Sequence, residues 1–357
     1  KNIKAVKADI TLVAGGAGFS MFVEEIMKRN PALDFGIYLE GEETLPDLLE
    51  HIDNPETVHG IFYRQNGIVC FTGKRAFLDF SKLPPPRRDL LDISKYLSNP
   101  ESIGIQTKRG CILKCAYCNY PMLNGATMRL RQPEHIVDEI EELVNVSGVR
   151  QFMFADSVFN LPLKHAKDIC REILRRSIKA NWSAWLDIRY IDEEFLLLAA
   201  KAGCNSVAFS PDAVSQKALT ALKKGIKEED IWNTLSLFTQ KKELKGVNVT
   251  FSAFINPPGE ELKGLFKTIL FYIRAKLMLK GRGGVFLNWI RIEPDTEVYK
   301  IAFKEGIINE RTNLLPDNER ALQNLFYSRP SLRYFDHVMF VFLKFISLFK
   351  RLLGRGK

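Results

Sequence analysis

Short apolar segments alternate with helix-length segments between residues 103 and 290. The apolar segments have the length and the Val, Ile and Phe content of strands, and turn residues separate many of them from their neighbours. Six strands are predicted, at residues 103–106, 151–154, 182–186, 206–209, 247–255 and 285–290. The segments between them have helical periodicity. In residues 133–146, for example, Pro133 stands in the first turn and the apolar residues share one face.

This alternation predicts an α/β fold in which a parallel sheet is connected by right-handed helical crossovers. Six strand–helix units are too few for the closed eight-stranded barrel, so an open or partial barrel is expected. In such folds the chemistry collects at the carboxyl ends of the strands. Side chains that follow a predicted strand are therefore the candidate site residues.

The first 95 residues have a different pattern and are predicted to form a separate unit. A buried strand at 10–14 is followed by Gly15-Gly16-Ala17-Gly18 and a helix at 20–29, then by a strand at 36–39 and a helix that ends near residue 51. Strands 61–64 and 68–71 form a hairpin across Asn66-Gly67, a pair typical of a type I′ turn. The proline-rich segment 83–86 reads as a linker. The predicted domains are residues 1–95, 96–310 and a C-terminal helical extension, 311–357.

Composition narrows the classes of protein. A chain of 357 residues with 46% hydrophobic residues can bury a sizeable core. The net charge is +9, but residues 332–357 carry six basic residues against one acid and so supply five of those charges. A nucleic-acid footprint spread over the protein is therefore not expected. No uncharged apolar run is long enough to predict a membrane-spanning helix.

Three cysteines stand close together in the order C-x3-C-x2-C, as Cys111, Cys115 and Cys118, directly after the first predicted strand of the barrel. Iron–sulfur clusters usually take four cysteines. Three thiolates can hold three irons of a cubane and leave the fourth iron open to a small molecule. A structural zinc site would need a fourth ligand, for which His135 is the nearby candidate. Six cysteines in 357 residues are too few for a disulfide framework, and unpaired thiols fit a reducing, cytoplasmic compartment.

The spacing of these cysteines, with Tyr117 before the last of them, resembles the radical S-adenosylmethionine (SAM) superfamily. The resemblance implies a [4Fe-4S] cluster whose open iron is chelated by SAM. It also implies an electron donor such as flavodoxin or ferredoxin, and reductive cleavage of SAM to a 5′-deoxyadenosyl radical. The flanking Lys108, Arg109 and Lys114 would favour thiolates, or are ordinary solvated charges.

Further segments that follow the strands resemble the same family in the same order. Asp156 and Ser157 stand where many members bind the SAM amino group, and Arg189 matches a recurrent arginine that could meet the SAM carboxylate. Asp212 stands in place of a family glutamate. Asn256, Gly259 and Glu260 belong to a segment that resembles Gly-x-Pro-Gly-Glu, with Asn256 replacing the first glycine. The alternatives are a helix cap for Asp212, a surface charge for Arg189 and turn chemistry for the Pro/Gly pieces.

The N-terminal unit resembles the second half of the Rossmann-like domain that precedes the barrel in cobalamin-dependent radical SAM enzymes. On this resemblance Gly15, Gly16 and Ser20 would line the nucleotide tail of cobalamin, because glycine lets the backbone approach a bulky ligand. The family's D-x-H-x-x-G comes before these pieces. The first half of the unit is therefore expected to lie outside this chain, which starts at Lys1 without Met.

The resemblance implies hydrogen abstraction from an unactivated carbon, often followed by methyl transfer from methylcobalamin; ring formation and rearrangement also occur in the class. Two alternatives stay open. One is a radical SAM enzyme with a vestigial cobalamin domain. The other is a non-catalytic iron–sulfur protein that transfers electrons.

The last apolar segment, residues 338–353, reads as an amphipathic helix with a narrow polar stripe at Lys344, Ser347 and Arg351. An apolar face this wide must be buried. One interpretation is a helix that closes the barrel. The other is an interfacial helix on an anionic membrane at the inner face of the cell, which would suggest a lipid-like rather than another small-molecule substrate.

Overall fold

The structure, a computed structural model, describes residues 2–336. The amphipathic helix predicted at 338–353 lies outside these residues, as do residues 337–357 of the predicted extension 311–357. Two sheets dominate the described part of the chain: a small mixed sheet near the N terminus and a six-stranded parallel sheet.

The N-terminal sheet has four strands in sequential order. The first two strands are parallel and the others are added antiparallel. The strands are β1 (Val13–Ala14), β2 (Phe35–Ile37), β3 (Ile61–Gln65) and β4 (Ile68–Phe71). The helices are α1 (Asn2–Val6), α2 (Ala17–Met21), α3 (Val23–Arg29) and α4 (Thr44–Glu50). Asn66 and Gly67 both have positive φ, as the predicted type I′ hairpin turn requires.

Two predictions for this unit were wrong. The buried strand expected at 10–14 is the two-residue edge strand β1, in which Val13 is exposed. An apolar run does not by itself distinguish an interior strand from an edge strand, and β1 pairs only with β2 among the described strands. The helix expected at 20–29 is divided at Phe22, whose φ of −132° and ψ of 36° are not helical.

The six-stranded sheet confirms the predicted α/β partial barrel. All its strands are parallel and follow one another in chain order, so every crossover joins neighbours. A two-stranded antiparallel ribbon, β6 (Lys108–Arg109) with β7 (Arg129–Leu130), follows the first strand and was not predicted. The barrel strands are β5 (Gly104–Ile105), β8 (Gln151–Phe154), β9 (Asn181–Leu186), β10 (Cys204–Asp212), β11 (Asn248–Phe254) and β12 (Gly283–Asn288).

Helices cover the outer face of this sheet and bury one continuous core that includes Phe152, Trp182, Phe209 and Phe251. They alternate with the strands as the sequence pattern predicts. In chain order they are α5 (Tyr120–Asn124), α6 (Pro133–Asn145), α7 (Leu163–Arg175), α8 (Glu193–Lys201), α9 (Gln216–Ala221), α10 (Glu228–Gln240), α11 (Leu262–Leu279), α12 (Glu297–Lys304) and α13 (Glu319–Gln323).

The carboxyl end of β10 is irregular. Its register against β11 shifts between Phe209 and Asp212, so this strand carries one extra residue there. Pro211 lies within the irregularity, where its missing N–H does the least harm to the ladder. Such bulges turn side chains to new directions, and this one positions Asp212.

The last described segment closes over the same end of the barrel. The N–H of Ile292 donates to the carbonyl of Leu325 and that of Tyr327 to the carbonyl of Ile290, both over 2.7 Å. Within residues 2–336 no helix combines the length and apolarity that a membrane crossing demands.

Candidate functional site

The cysteine loop lies between β6 and α5, beyond the carboxyl end of β5. Cys111 is buried, Cys115 half-buried and Cys118 exposed. Gly110 has a φ of +86°, and a Cβ there would stand 1.9 Å from the carbonyl oxygen of Thr127. Only glycine fits this position, because the backbone at Gly125 and Thr127 packs directly against the start of the loop.

Two of the three sulfurs face N–H donors. The backbone N–H of Tyr120 lies 3.4 Å from Cys118 Sγ, and Lys224 Nζ lies 3.7 Å from Cys115 Sγ. Burial raises the pKa of both thiols, while Lys224 opposes that rise at each sulfur. Hydrogen bonds to sulfur stabilise thiolate ligands and tune iron–sulfur clusters. The donor set therefore fits an anionic cluster.

A buried network stands behind Cys115. Asp212 accepts a hydrogen bond from Lys224 Nζ over 2.7 Å and another from the hydroxyl of Tyr117. Burial opposes the charged form of Lys224, but Asp212 and Cys115 outweigh it and raise the pKa of this lysine. The side chain therefore stays cationic next to the sulfur. Ser215, not Asp212, caps α9, which excludes the helix-cap interpretation.

A second buried ion pair lies where the chain enters the cysteine loop. Asp156 accepts hydrogen bonds from Lys108 Nζ and from the N–H of Thr107, each over 2.8 Å, and from the Thr107 hydroxyl. Lys108 also donates to the carbonyl of Phe159 over 2.9 Å. Asp156 thus joins the end of β8 to the start of the loop, and its predicted contact with SAM stays a prediction.

The remaining residues near the cysteines differ in their surroundings. Ser157 is exposed, and its side chain forms a hydrogen bond with the hydroxyl of Tyr120. Of the basic residues that flank the thiols, Lys114 is exposed, as the solvated-charge alternative holds. Lys108 is buried, and Arg109 forms ion pairs with Glu40 and Glu42.

Arg189 is half-buried and lies close enough to Cys115 to influence its electrostatics. Asp187 holds the guanidinium over 2.7 Å, and the N–H of Asp187 donates to the side chain of Asn160 over 2.8 Å. The hydrogen bonds that the Arg189 guanidinium donates to the Asp187 carboxylate raise the pKa of Arg189. This geometry excludes a free surface charge and leaves a positioned cation beside the cysteine loop.

The segment after β11 makes mainly internal contacts. Asn256 Nδ2 donates to Ser328 Oγ over 3.1 Å and to Asp336 Oδ2 over 3.2 Å. The Glu260 carboxylate accepts from the Ser215 hydroxyl over 2.6 Å. Gly259 has a φ of +78°, and a Cβ there would lie 2.8 Å from Ala221. These residues join α9 and the C-terminal segment to the barrel, and their SAM contacts stay predictions.

Gly15, Gly16 and Ser20 come together in a cleft of about 540 Å³ between the N-terminal unit and the barrel. Gly16 has a φ of +89°, and nothing lies within 4 Å of the position of a Cβ there. The hydroxyl of Ser20 accepts the N–H of Leu39 over 2.8 Å and holds α2 against the end of β2. The lining residues are Gly15, Gly16, Ala17, Ser20, Ile37, Leu39, Glu40, Gly41, Glu42, Leu45, Gln106, Arg109, Leu123 and Asn124.

The alternative uses of cysteine find no support. All six cysteines are free thiols, so no disulfide framework exists. Within residues 2–336 no group of three or more His, Cys, Asp and Glu side chains is arranged around a single metal ion. His135 is exposed on α6. A cubane differs from a single ion because each thiolate binds a different iron, so the three sulfurs need not converge on one point.

Two contributors to this site, Lys224 and the contact between Thr107 and Asp156, were missed from the sequence. Lys224 stands in Leu-Lys-Lys-Gly, which reads as solvated charge. The partnership of Thr107 with Asp156 joins residues far apart in the chain. The only available signal for Lys224 was its place in the turn after α9, on the same strand–helix unit as Asp212.

The family model of the radical SAM superfamily matches residues 105–267, from the last residue of β5 through the cysteine loop and strands β8 to β11. The barrel is a radical SAM domain. The chain is 26% identical to an uncharacterized methyltransferase of Pyrococcus horikoshii over 276 residues, which cover 76% of this chain and 59% of that protein.

Two solved structures have the same fold. The radical SAM methyltransferase TsrM from Kitasatospora setae, with cobalamin and a [4Fe-4S] cluster bound, superposes with a TM-score of 0.68 at 23% identity and covers 85% of this chain and 60% of its own. The cobalamin-dependent radical SAM enzyme OxsB, with aqua-cobalamin and SAM bound, gives 0.73 at 17% identity, over 92% of this chain and 52% of its own. The chain thus spans between half and two thirds of these proteins.

Proposed function

We propose that the chain binds a [4Fe-4S] cluster through Cys111, Cys115 and Cys118 and uses SAM and cobalamin to methylate an unactivated carbon of a small-molecule or lipid-like substrate. When bound, these groups supply reductive cleavage of SAM, a 5′-deoxyadenosyl radical and a transferable methyl group. The protein supplies binding, orientation and a site closed to water.

One observation carries the proposal: Cys115 and Cys118 each face an N–H donor on a loop at the carboxyl end of a parallel sheet. Lys224 keeps positive charge next to Cys115, and Asp212 keeps Lys224 in place. Such N–H donors stabilise the negative charge of a thiolate-ligated cluster, whereas neutral surface thiols do not require them.

SAM would bind beside this loop. Arg189 offers a positioned cation for its carboxylate, because the side chain is half-buried and already oriented by Asp187. Ser157 offers an exposed hydroxyl. Asp156, Asp212, Asn256, Gly259 and Glu260 support SAM through the backbone that they fix, since internal partners take up most of their polar groups.

Cobalamin would bind in the cleft at Gly15, Gly16 and Ser20. The support is the open space in front of Gly16 and the fact that the cleft joins the N-terminal unit to the segment that leads into the cysteine loop. Methyl transfer is supported by the methyltransferases of Pyrococcus horikoshii and Kitasatospora setae that the chain resembles.

The interior of the partial barrel offers space for a substrate. A cavity of about 350 Å³ is lined by Glu101, Met153, Ala184 and Ala208 and by a set of hydroxyl, amide and aromatic side chains. These are Ser183, Ser206, Thr250, Ser252 and Asn288 with Trp185 and Phe286. Such a lining can orient a polar molecule and cover its apolar part. The basic tail at 338–353 would add peripheral contact with an anionic membrane, and a flavodoxin or ferredoxin would supply electrons.

The test is anaerobic reconstitution of the chain and of its Cys115→Ala and Cys70→Ala variants. We expect about four irons per chain for the wild type and Cys70→Ala, and neither a stable cluster nor 5′-deoxyadenosine for Cys115→Ala. A Cys115→Ala protein that still cleaves SAM would contradict the cluster assignment. A cluster that forms but never cleaves SAM would favour the electron-transfer alternative.

Cobalamin is tested separately, by titration with hydroxocobalamin. Ala17 lines the cleft, so Ala17→Trp should fill it and weaken corrinoid binding about tenfold or more, without loss of iron. If neither protein binds any corrinoid but SAM is still cleaved, the vestigial alternative is correct.

A further inference from the structure

Helix α11 is apolar on the side that faces solvent. Phe266 is 62% exposed and Leu277 is 69% exposed, and the residues between them on the same stripe are exposed as well. The whole stripe consists of Leu262, Phe266, Leu270, Ile273 and Leu277. Its spacing of three and four residues makes it continuous, and at 1.5 Å per residue it runs for about 22 Å.

This stripe is not the face that holds the helix on the barrel. That face is formed by Phe271 and Ala275, which are fully buried. At 100° per residue the two faces lie on nearly opposite sides of the helix. A helix that already packs on its own core therefore presents a second apolar face to the outside.

The charged residues within helix α11 all have one sign, although its N-cap is Glu261. Helix α11 contains four basic residues and no acidic one, and Lys280 follows at its C-cap. Lys263 and Arg274 lie along one edge of the stripe, and Lys276 lies along the other. Lys267 on the first edge pairs with Glu228 of α10 over 2.5 Å.

The other helices of the barrel do not share this pattern. Helix α7, for example, covers its outer side with ion pairs such as Lys164 with Asp168 and Arg171 with Glu194. An apolar stripe framed by cations is typical of a helix that lies in the interface of an anionic membrane. The basic residues attract anionic headgroups, and the stripe enters the acyl boundary.

We propose that the outer face of α11 docks on an anionic lipid surface. The cationic frame favours lipid over a second copy of this chain, because two such faces would bring Lys263, Arg274 and Lys276 of each copy together. This inference is independent of the cluster, SAM and cobalamin.

The test is co-sedimentation of the full chain with phosphatidylcholine vesicles that contain or lack phosphatidylglycerol. We expect binding to the anionic vesicles alone, weakened by added salt. The variant Phe266→Gln/Leu270→Gln/Ile273→Gln should bind about tenfold or more weakly, because three apolar side chains leave the interface. Arg274→Gln/Lys276→Gln should lower binding and reduce its salt dependence.

Two controls separate the stripe from other effects. Val146→Gln replaces an exposed apolar residue next to α6 and should bind as the wild type does. Lys350→Gln/Arg351→Gln removes two positive charges from the C-terminal segment and leaves α11 unchanged. Adding the triple substitution of the stripe to this variant should still weaken its binding to anionic vesicles. Thermal unfolding checks that every variant is folded.

Three results would overturn the proposal: no binding by the wild type, equal binding by the wild type and the triple variant, or a concentration-dependent dimer that the triple substitution abolishes. The last result would assign the stripe to a second copy of the chain. Iron content and SAM cleavage are measured in parallel. Because the vesicle assay needs neither, failure of the lipid proposal leaves the proposed enzyme function untouched.

Discussion

The barrel and the N-terminal unit build their candidate sites in different ways. In the barrel, the polar groups around the cysteine loop satisfy one another, as Lys108 does with Asp156 and Lys224 with Asp212. In the N-terminal unit the sheet has only short strands and two small buried clusters, and one wall of its cleft belongs to the barrel. The cysteine site is therefore assembled within one core, whereas the cleft exists only where two units meet.

Glu40 joins the N-terminal unit to the barrel. Its carboxylate is largely buried and pairs with Arg129 over 2.7 Å and with Arg109 over 3.3 Å. These arginines lie on β7 and β6, the ribbon on either side of the cysteine loop. The N-terminal unit can thus affect the chemistry of the barrel through this ribbon without touching the cysteines.

The largest expected effect lies within the barrel. Lys108→Met would leave the fully buried Asp156 without its charged partner, and breaking a buried pair in this way costs about 3–5 kcal/mol. Urea unfolding of the apo protein measures the loss. The matched control is Lys114→Met, an exposed lysine in the same loop, for which a change within about 0.5 kcal/mol is expected. Equal stability of the two variants would mean that the Lys108–Asp156 pair is not needed to hold the loop.

The next effect concerns the junction. Glu40→Gln removes the charge that two arginines share and should cost about 2–3 kcal/mol, because the site is buried but its arginines keep partial access to water. Glu42→Gln is the control. Glu42 is 37% exposed in its side chain, and within residues 2–336 its one ion pair is with Arg109, so its loss should cost under about 1 kcal/mol.

Glu40→Gln and Glu42→Gln also test how closely the cysteine site is coupled to the cleft of the N-terminal unit. If Glu40 fixes the ribbon, Glu40→Gln should weaken hydroxocobalamin binding while the reconstituted iron content stays near that of the wild type. Loss of both cofactors together would show that the cysteine site depends on the N-terminal unit, and the contrast between the two regions would fail.

The sequence predicted the parts of both regions that rest on local pattern. The six barrel strands, the cysteine loop and the Asn66-Gly67 hairpin follow from apolar alternation and turn chemistry, which act over a few residues. The edge position of β1 and the break at Phe22 could not be read in this way, since both depend on which strands and helices pack alongside. Lys224 was missed for a related reason, because a buried lysine differs from a solvated one only in its distant partners.

The smallest effect is the most specific to the cysteine site, and it depends on the proposed cluster. Lys224→Gln removes a positive charge and a hydrogen-bond donor beside Cys115 Sγ. Reduction adds negative charge to a cluster, so it becomes less favourable when a neighbouring cation is lost. We expect the midpoint potential to fall by about 60 mV, which for one electron corresponds to about 1.4 kcal/mol. Potentiometric titration followed by electron paramagnetic resonance measures this shift at full iron content.

Lys223→Gln is the matched control, since Lys223 is the adjacent residue and its side chain is 52% exposed. Solvent screens its charge, and its substitution should leave the potential nearly unchanged. Equal shifts of the midpoint potential in the two variants would mean that the potential responds to the net charge of the protein and not to the position of Lys224. A shift in Lys224→Gln alone, with unchanged corrinoid binding, would place control of the cluster within the barrel and apart from the N-terminal unit.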